Sequence, residues 1–146
     1  MGFYRERYSS IGLYESEVYR GIPEVLEILQ QKGHALYVAT SKPTVFAEQI
    51  VDHFNLKRYF KCIYGSELDG SLCDKTSLIS HIVYAESISA SETIMIGDRK
   101  YDIIGAKHNG INGFAVLWGY GTKEELEASG AHTFIKYPRE LIPLFD

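Results

Sequence analysis

The residues best placed to do chemistry lie in the stretch TIMIGDRKYDIIGAKHNGI, Thr93 to Ile111. An apolar run ends in Gly97-Asp98, and a second carboxylate follows at Asp102. A carboxylate directly after an apolar strand is partly desolvated and prefers a cation. Asp102 lies about one helical turn further on, so both side chains can face one spot. Two carboxylates suit Mg²⁺, which keeps several waters and commonly binds phosphate as well. The plainer reading is that Asp102 caps the following helix and Asp98 caps a turn.

Two other sites carry weaker signals. In YVATSKP, Thr40 and Ser41 end an apolar run just before a helix that starts near Pro43. Hydroxyls and backbone N–H groups at a helix N-terminus form an anion site; an ordinary helix cap is the alternative. Lys42 is a further candidate there, against the simpler reading of a solvated loop lysine. Lys75 opens a helix after GSLCD. The positive end of a helix dipole disfavours a lysine, unless its ammonium points at a bound phosphate. A solvated lysine is again the alternative.

The elements that would position these residues alternate. Helices are expected over Ile22 to Gln31, Pro43 to Phe54, Lys75 to Ala85, Arg99 or Lys100 to Asn109, and Lys123 to Ser129, with a last helical turn from Pro138 to Leu144. Strands are expected at ALYVAT (35–40), YFKCIYG (59–65), TIMIG (93–97), GFAVLWG (113–119) and HTFI (132–135). Strict alternation implies a parallel sheet covered by helices on both faces. Ligands of such sheets bind beyond the carboxyl ends of the strands. Thr40, Ser41, Glu67, Asp98 and the loop Trp118-Gly119-Tyr120-Gly121 should therefore converge on one crevice. For Trp118 and Tyr120, packing is the plainer role. Residues 1–20, aromatic and charged without a clean period, do not fit the pattern.

The composition sets limits. The 146 residues suffice for one domain with one core. A net charge of -4 gives no reason to expect nucleic-acid or membrane-surface binding. No apolar run approaches the roughly 20 residues of a membrane span, and the N-terminus lacks the apolar core of a signal peptide. Cys62 and Cys73 form neither a metal cluster nor a disulfide framework, so both read as unpaired thiols in a reducing cytoplasm. The 11 tyrosines read mostly as packing or surface residues.

Order makes the three signals specific: strand-Thr-Ser, then a lysine at a helix start, then strand-Gly-Asp-x-x-x-Asp. In this order the chain resembles the haloacid dehalogenase superfamily of phosphatases. ATSKP looks like its second motif, Lys75 its third and IMIGDRKYD its fourth. The stretch from Gly97 to Ile135 is most like the phosphoglycolate phosphatase and 5′-nucleotidase branch. The resemblance implies a three-layer α/β/α, Rossmann-like parallel sheet. It implies that Thr40 binds phosphate through its hydroxyl and Ser41 through its amide. Lys75 would stabilise the phosphoryl charge, and Asp98 would bind Mg²⁺, with Asp102 orienting or sharing it. The implied ligand is a small phosphate ester.

The family's first motif, Asp-x-Asp-Gly-Thr on a central first strand, supplies a nucleophile and a general acid–base. Here 39 residues precede Thr40, and none is an aspartate; the first is Asp52. ELDGSL (67–72) imitates the motif but follows ATSKP and has Glu67 at the nucleophile position, so it reads as the loop before Lys75. Residues 1–20 are then expected to be a remnant of the helical cap and its linker, and 21–146 the core domain. The chain is expected to be a fragment of a longer enzyme, a chain with a mis-assigned start, or a degenerate member, and to be inactive alone. The competing expectation is a non-catalytic domain that binds a phosphorylated ligand or a protein. A receiver domain shares the sheet and acid pocket, but it too needs an early aspartate and gives no reason for GDRKYD. Without its central strand the sheet has two unpartnered edges. Either the flanking strands close up, or another segment or subunit fills the slot; a homodimer through an exposed edge is one such outcome.

Overall fold

The computed structural model describes residues 21–67, 69, 71–72 and 74–145. The expected cap remnant at 1–20 and the thiol of Cys73 lie outside them. Helix α1 (Ile22–Gln31) starts with Pro23 in its first turn and buries Ile22, Val25, Leu26 and Leu29. Then follow β1 (Tyr37–Pro43), α2 (Thr44–His53), β2 (Cys62–Ser66), α3 (Lys75–Glu86), β3 (Ile94–Gly97), α4 (Lys100–His108), β4 (Asn112–Val116), α5 (Lys123–Ala128) and β5 (Thr133–Ile135). The expected last helical turn is a 3₁₀ segment, Pro138–Phe145, with Pro143 inside it. No helix among the described residues is long and apolar enough to cross a membrane.

All strand pairings are parallel, and two layers of helices sandwich the strands. Val38, Ile63, Ile96, Phe114 and Val116 pack with α1, α2 and the 3₁₀ segment on one face. Ala39 and Met95 pack with α3 and α4 on the other, where Ala115 also joins Ile103 and Leu126 of α5. The alternation of Val38 with Ala39, and of Met95 with Ile96, is the period-2 burial of strands covered on both sides.

The strands form two sheets, β1-β2 and β3-β4-β5. β1 and β3 do not close up, which excludes the first of the two expected outcomes. Both apolar layers span the interval: Val38 and Ile96 share one cluster, Ala39 and Met95 another. A cleft of about 170 Å³ opens between the strand starts, lined by Ala35 and Tyr37 on one side and Thr93 and Ile94 on the other. Lys61 N–H donates to Leu36 O, toward β2. Successive backbone groups of a strand point to opposite sides, so those of Tyr37 and Ala39 face the interval.

β1 runs further than the apolar pattern predicts. Ala39 pairs with Tyr64 but Pro43 pairs with Ser66, so Thr40, Ser41 and Lys42 form a bulge. Gly65 makes room for it: a Cβ there would lie 2.3 Å from Lys42 O.

Candidate functional site

The carboxyl ends of β1 and β3 meet around Lys75. Its Nζ donates to Ala39 O at 3.0 Å and lies 2.9 Å from Asp102 Oδ1. Lys75 is 6% exposed and Asp102 2%. The reading of Lys75 as a solvated lysine is therefore excluded. A buried ion pair stands only if further hydrogen bonds offset its desolvation. Asp102 has them: its Oδ2 accepts from the N–H groups of Asp98, at 3.1 Å, and Arg99, at 3.2 Å. Asp102 is thus the helix cap of the plainer reading and the counter-ion of Lys75 at once.

Asp98 is fully buried, at 0% exposure. Its Oδ2 accepts from the N–H of Tyr120 at 2.8 Å, across the crevice mouth. Glycines permit this approach. A Cβ on Gly119 would sit 2.1 Å from Asp98 Oδ2, and one on Gly97 2.3 Å from the Asp102 Cβ. The loop Gly119–Gly121 is a backbone cradle for one carboxylate.

The opposite wall is the bulge. Thr40 is buried, and its Oγ1 accepts from Lys42 N–H at 3.2 Å. The hydroxyl proton still has to be donated elsewhere. Ser41 is exposed. Neither caps α2, whose N-cap is Pro43 and which carries no side-chain cap. Thr44 Oγ1 turns toward β2, accepting from Gly65 N–H at 3.0 Å and donating to Ser66 O at 3.4 Å. The start of α2 therefore presents its amides with no acid in its first turn.

The structure brings Lys75, Asp102 and Asp98 into one hydrogen-bonded group. Thr40 and Ser41 follow Ala39, whose carbonyl Lys75 holds. Other residues named from the sequence stay outside. Glu67 is exposed and its N–H donates to Ser71 O, while Asp69 Oδ1 accepts from Ser71 N–H. Asp69, Ser71 and Leu72 thus lie in turns before α3. Trp118 packs against the apolar core, as the plainer reading has it. Tyr120 contributes its backbone, and its side chain is exposed.

Glu125 is a site residue that sequence reasoning did not find. Its Oε2 accepts from Arg99 Nε at 2.9 Å and Lys100 N–H at 3.0 Å. The Arg99 guanidinium, then the Lys100 amide, hold its carboxyl below the usual carboxylate range. Thr122-x-x-Glu125 matches a capping-box pattern. Thr122 Oγ1 does accept from Glu125 N–H, but the Glu125 carboxylate turns to α4 instead.

Among the described residues no three His, Cys, Asp or Glu side chains gather as a metal cage. Mg²⁺ needs no such cage, since one or two carboxylates with phosphate and water suffice. Asp98, cradled by glycines at the mouth, suits the direct ligand. Asp102 is committed to Lys75 and two amides.

Comparison with known proteins bears on the family and the fold. The family described as Haloacid dehalogenase-like hydrolase matches residues 1–116. A 5′-nucleotidase of Pseudomonas aeruginosa is 52% identical over 125 residues, 86% of this chain and 57% of that protein. Tyrosine-protein kinase PtkA of Mycobacterium tuberculosis is 34% identical over 124 residues, covering 85% of this chain and 43% of its own length. The crystal structure of a predicted phosphatase from Clostridium acetobutylicum superposes with a TM-score of 0.89 at 43% identity, over 92% of this chain and 62% of that one. The chain thus spans between about two fifths and three fifths of the length of these relatives. With the order of its motifs, its parallel strands and its Lys75–Asp102 centre, the chain belongs to the haloacid dehalogenase-like hydrolase family.

Proposed function

We propose that this chain carries the phosphate- and Mg²⁺-binding part of a phosphatase acting on small phosphate monoesters, of the phosphoglycolate or nucleoside monophosphate class. The observation that carries this reading is the buried Lys75, bridging Ala39 O and Asp102 at the carboxyl ends of β1 and β3. A lysine so placed is costly to bury for stability alone, and it borders the mouth where a phosphoryl group would sit. The Thr40 hydroxyl, the Ser41 amide and the open start of α2 would bind phosphate oxygens. Lys75 would offset charge developing on them. Asp98 would hold Mg²⁺, with Asp102 fixing the backbone that carries it; when bound, the ion polarises and neutralises phosphoryl oxygens.

The reacting carboxylate is not among these residues. The interval between β1 and β3 supports its entry on a strand from outside the described residues. Backbone groups of Tyr37 and Ala39 face that interval, and apolar side chains cover it on both faces. The resemblance gives such a carboxylate the attack on phosphorus. The relative named a tyrosine kinase favours phosphoryl handling in general and leaves the acceptor open.

Titration of the 146-residue polypeptide with inorganic phosphate, followed by ³¹P NMR with and without Mg²⁺, tests the binding half. Mg²⁺-dependent broadening that is lost in Asp98→Asn and weakened in Thr40→Ala is expected. Broadening indifferent to both substitutions would remove the reading. Binding without turnover once a first-motif strand is supplied would favour the non-catalytic domain.

A further inference from the structure

Asp98 is held from two directions. Tyr120 N–H reaches its Oδ2 at 2.8 Å, and the chain continues from Asp98 into Arg99 and Lys100. Both of these residues are bound by Glu125: Arg99 Nε at 2.9 Å and Nη2 at 3.4 Å, and Lys100 N–H at 3.0 Å. Glu125 stands in the first turn of α5, pinned by its own N–H on Thr122 Oγ1 at 3.1 Å. Thr122 directly follows the glycine loop that carries Tyr120. The path is therefore a closed ring: Asp98, Arg99, Glu125, Thr122, Gly121, Tyr120 and back to the Asp98 carboxylate. Gly121 lets the ring close tightly. A Cβ there would lie 2.0 Å from Asp98 O and 3.0 Å from Glu125 Oε2.

A ring of this kind fixes the direction of one carboxylate. Glu125 gives the glycine loop and the Asp98–Lys100 turn a second join beside the Tyr120–Asp98 hydrogen bond. Without it, glycine-rich backbone gains freedom. The neighbouring acids of α5, Glu124 and Glu127, are exposed and lie outside the ring.

We propose that Glu125 is the positioning residue for Asp98: it clamps Arg99 and Lys100 to α5 so that the Tyr120 amide holds the Asp98 carboxylate toward the cation position. The proposal rests on the reading of Asp98 as the Mg²⁺ ligand. Residues behind a metal ligand change affinity about 10–100-fold when removed, and Glu125→Ala should lower Mg²⁺ affinity within that range. Glu125→Gln keeps acceptors for Lys100 N–H and Arg99 but loses the charge, so it should fall between wild type and alanine. Glu127→Ala removes the same charge from the same helix outside the ring and should stay within about twofold.

Mg²⁺ titration by calorimetry and amide hydrogen exchange at Tyr120 test this together on the 146-residue polypeptide. Faster exchange of the Tyr120 amide in Glu125→Ala, with the graded loss of Mg²⁺ affinity, is expected. Unchanged exchange at Tyr120 overturns the clamp whatever the metal does. Unchanged Mg²⁺ affinity in Glu125→Ala also overturns it, provided wild type binds Mg²⁺ and Asp98→Asn does not. A wild-type chain that binds no Mg²⁺ removes the ligand reading and the proposal with it. If the alanine variant does not fold, Glu125→Gln carries the same two readouts.

Discussion

At the start of α4, three successive backbone N–H groups are taken by the chain's own carboxylates. Those of Asp98 and Arg99 go to Asp102, and that of Lys100 goes to Glu125. At the start of α2 no side chain caps the helix, no acid lies in the first turn, and the nearest hydroxyl, of Thr44, is turned toward β2. Both helices begin at the carboxyl end of a strand, and both dipoles point their positive end at the same mouth. One has been neutralised from within and the other has not. On the proposed reading this difference divides the ligand's charges: an anion would sit at α2, and Asp98 beside α4 would face a cation.

Lys75 joins the two walls, so its loss should have the largest effect. Lys75→Met leaves Asp102 buried without its counter-ion, which should cost about 3–5 kcal/mol. Lys75→Met with Asp102→Asn should cost less than the sum of the single changes, because the stranded charge is gone. Urea unfolding of the three variants measures both. Additive costs would mean that the pair is not the joint described here.

Two glycine substitutions should then separate the walls. Gly97→Ala drives a Cβ to 2.3 Å from the Asp102 Cβ, and Gly65→Ala drives one to 2.3 Å from Lys42 O. Each should cost about 1–3 kcal/mol through forced displacement. Gly97→Ala should chiefly weaken Mg²⁺ binding and Gly65→Ala chiefly phosphate binding, read by separate titrations. Equal loss of both ligands in both variants would show that the walls are not independent.

The smallest expected effect is a dependence on pH. Among the described residues, a glutamate ties separate elements together in each half of the fold. Glu125 serves the β3 half. Glu86, on α3, serves the β1–β2 half, accepting from Tyr64 OH at 2.5 Å and Tyr37 OH at 3.1 Å. The Tyr64 hydrogen bond is the main force holding the Glu86 carboxyl below its ordinary value, and Arg99 does the same for Glu125. Burial, with Glu86 beside it, raises the Tyr64 phenol above its usual range. A depressed folded pKa stabilises above the unfolded value, about 4.3 for a glutamate, and that stability is lost as pH falls through the folded value. Glu86→Gln should therefore lower the urea midpoint at pH 7 and flatten its decline below about pH 4.3. A decline as steep as in wild type would place the acid sensitivity elsewhere.

Much of this was legible because apolar periodicity is local. The alternating runs gave the helices and parallel strands, and the order Thr40, Lys75, Asp98 gave the mouth. The exact course of β1 was not, because Ser41 and Lys42 are polar and Pro43 reads as a helix start. The bulge they form depends on Gly65, more than twenty residues later. Tyr37 and Tyr64 looked like packing because their partner, Glu86, sits at the far end of another helix. Glu125 carried a signal, the capping pattern from Thr122, but that pattern points a glutamate back at its own helix. Its real partner is the arginine that precedes α4, which no local pattern encodes.

As proposed, this chain holds the binding side of a phosphoryl-transfer site but not its reacting carboxylate. The most direct measurement is Mg²⁺-dependent hydrolysis of p-nitrophenyl phosphate by the 146-residue polypeptide, beside its Asp98→Asn variant. The account predicts no turnover above the variant's background, although phosphate and Mg²⁺ still bind. Clear Mg²⁺-dependent turnover that Asp98→Asn abolishes would contradict it.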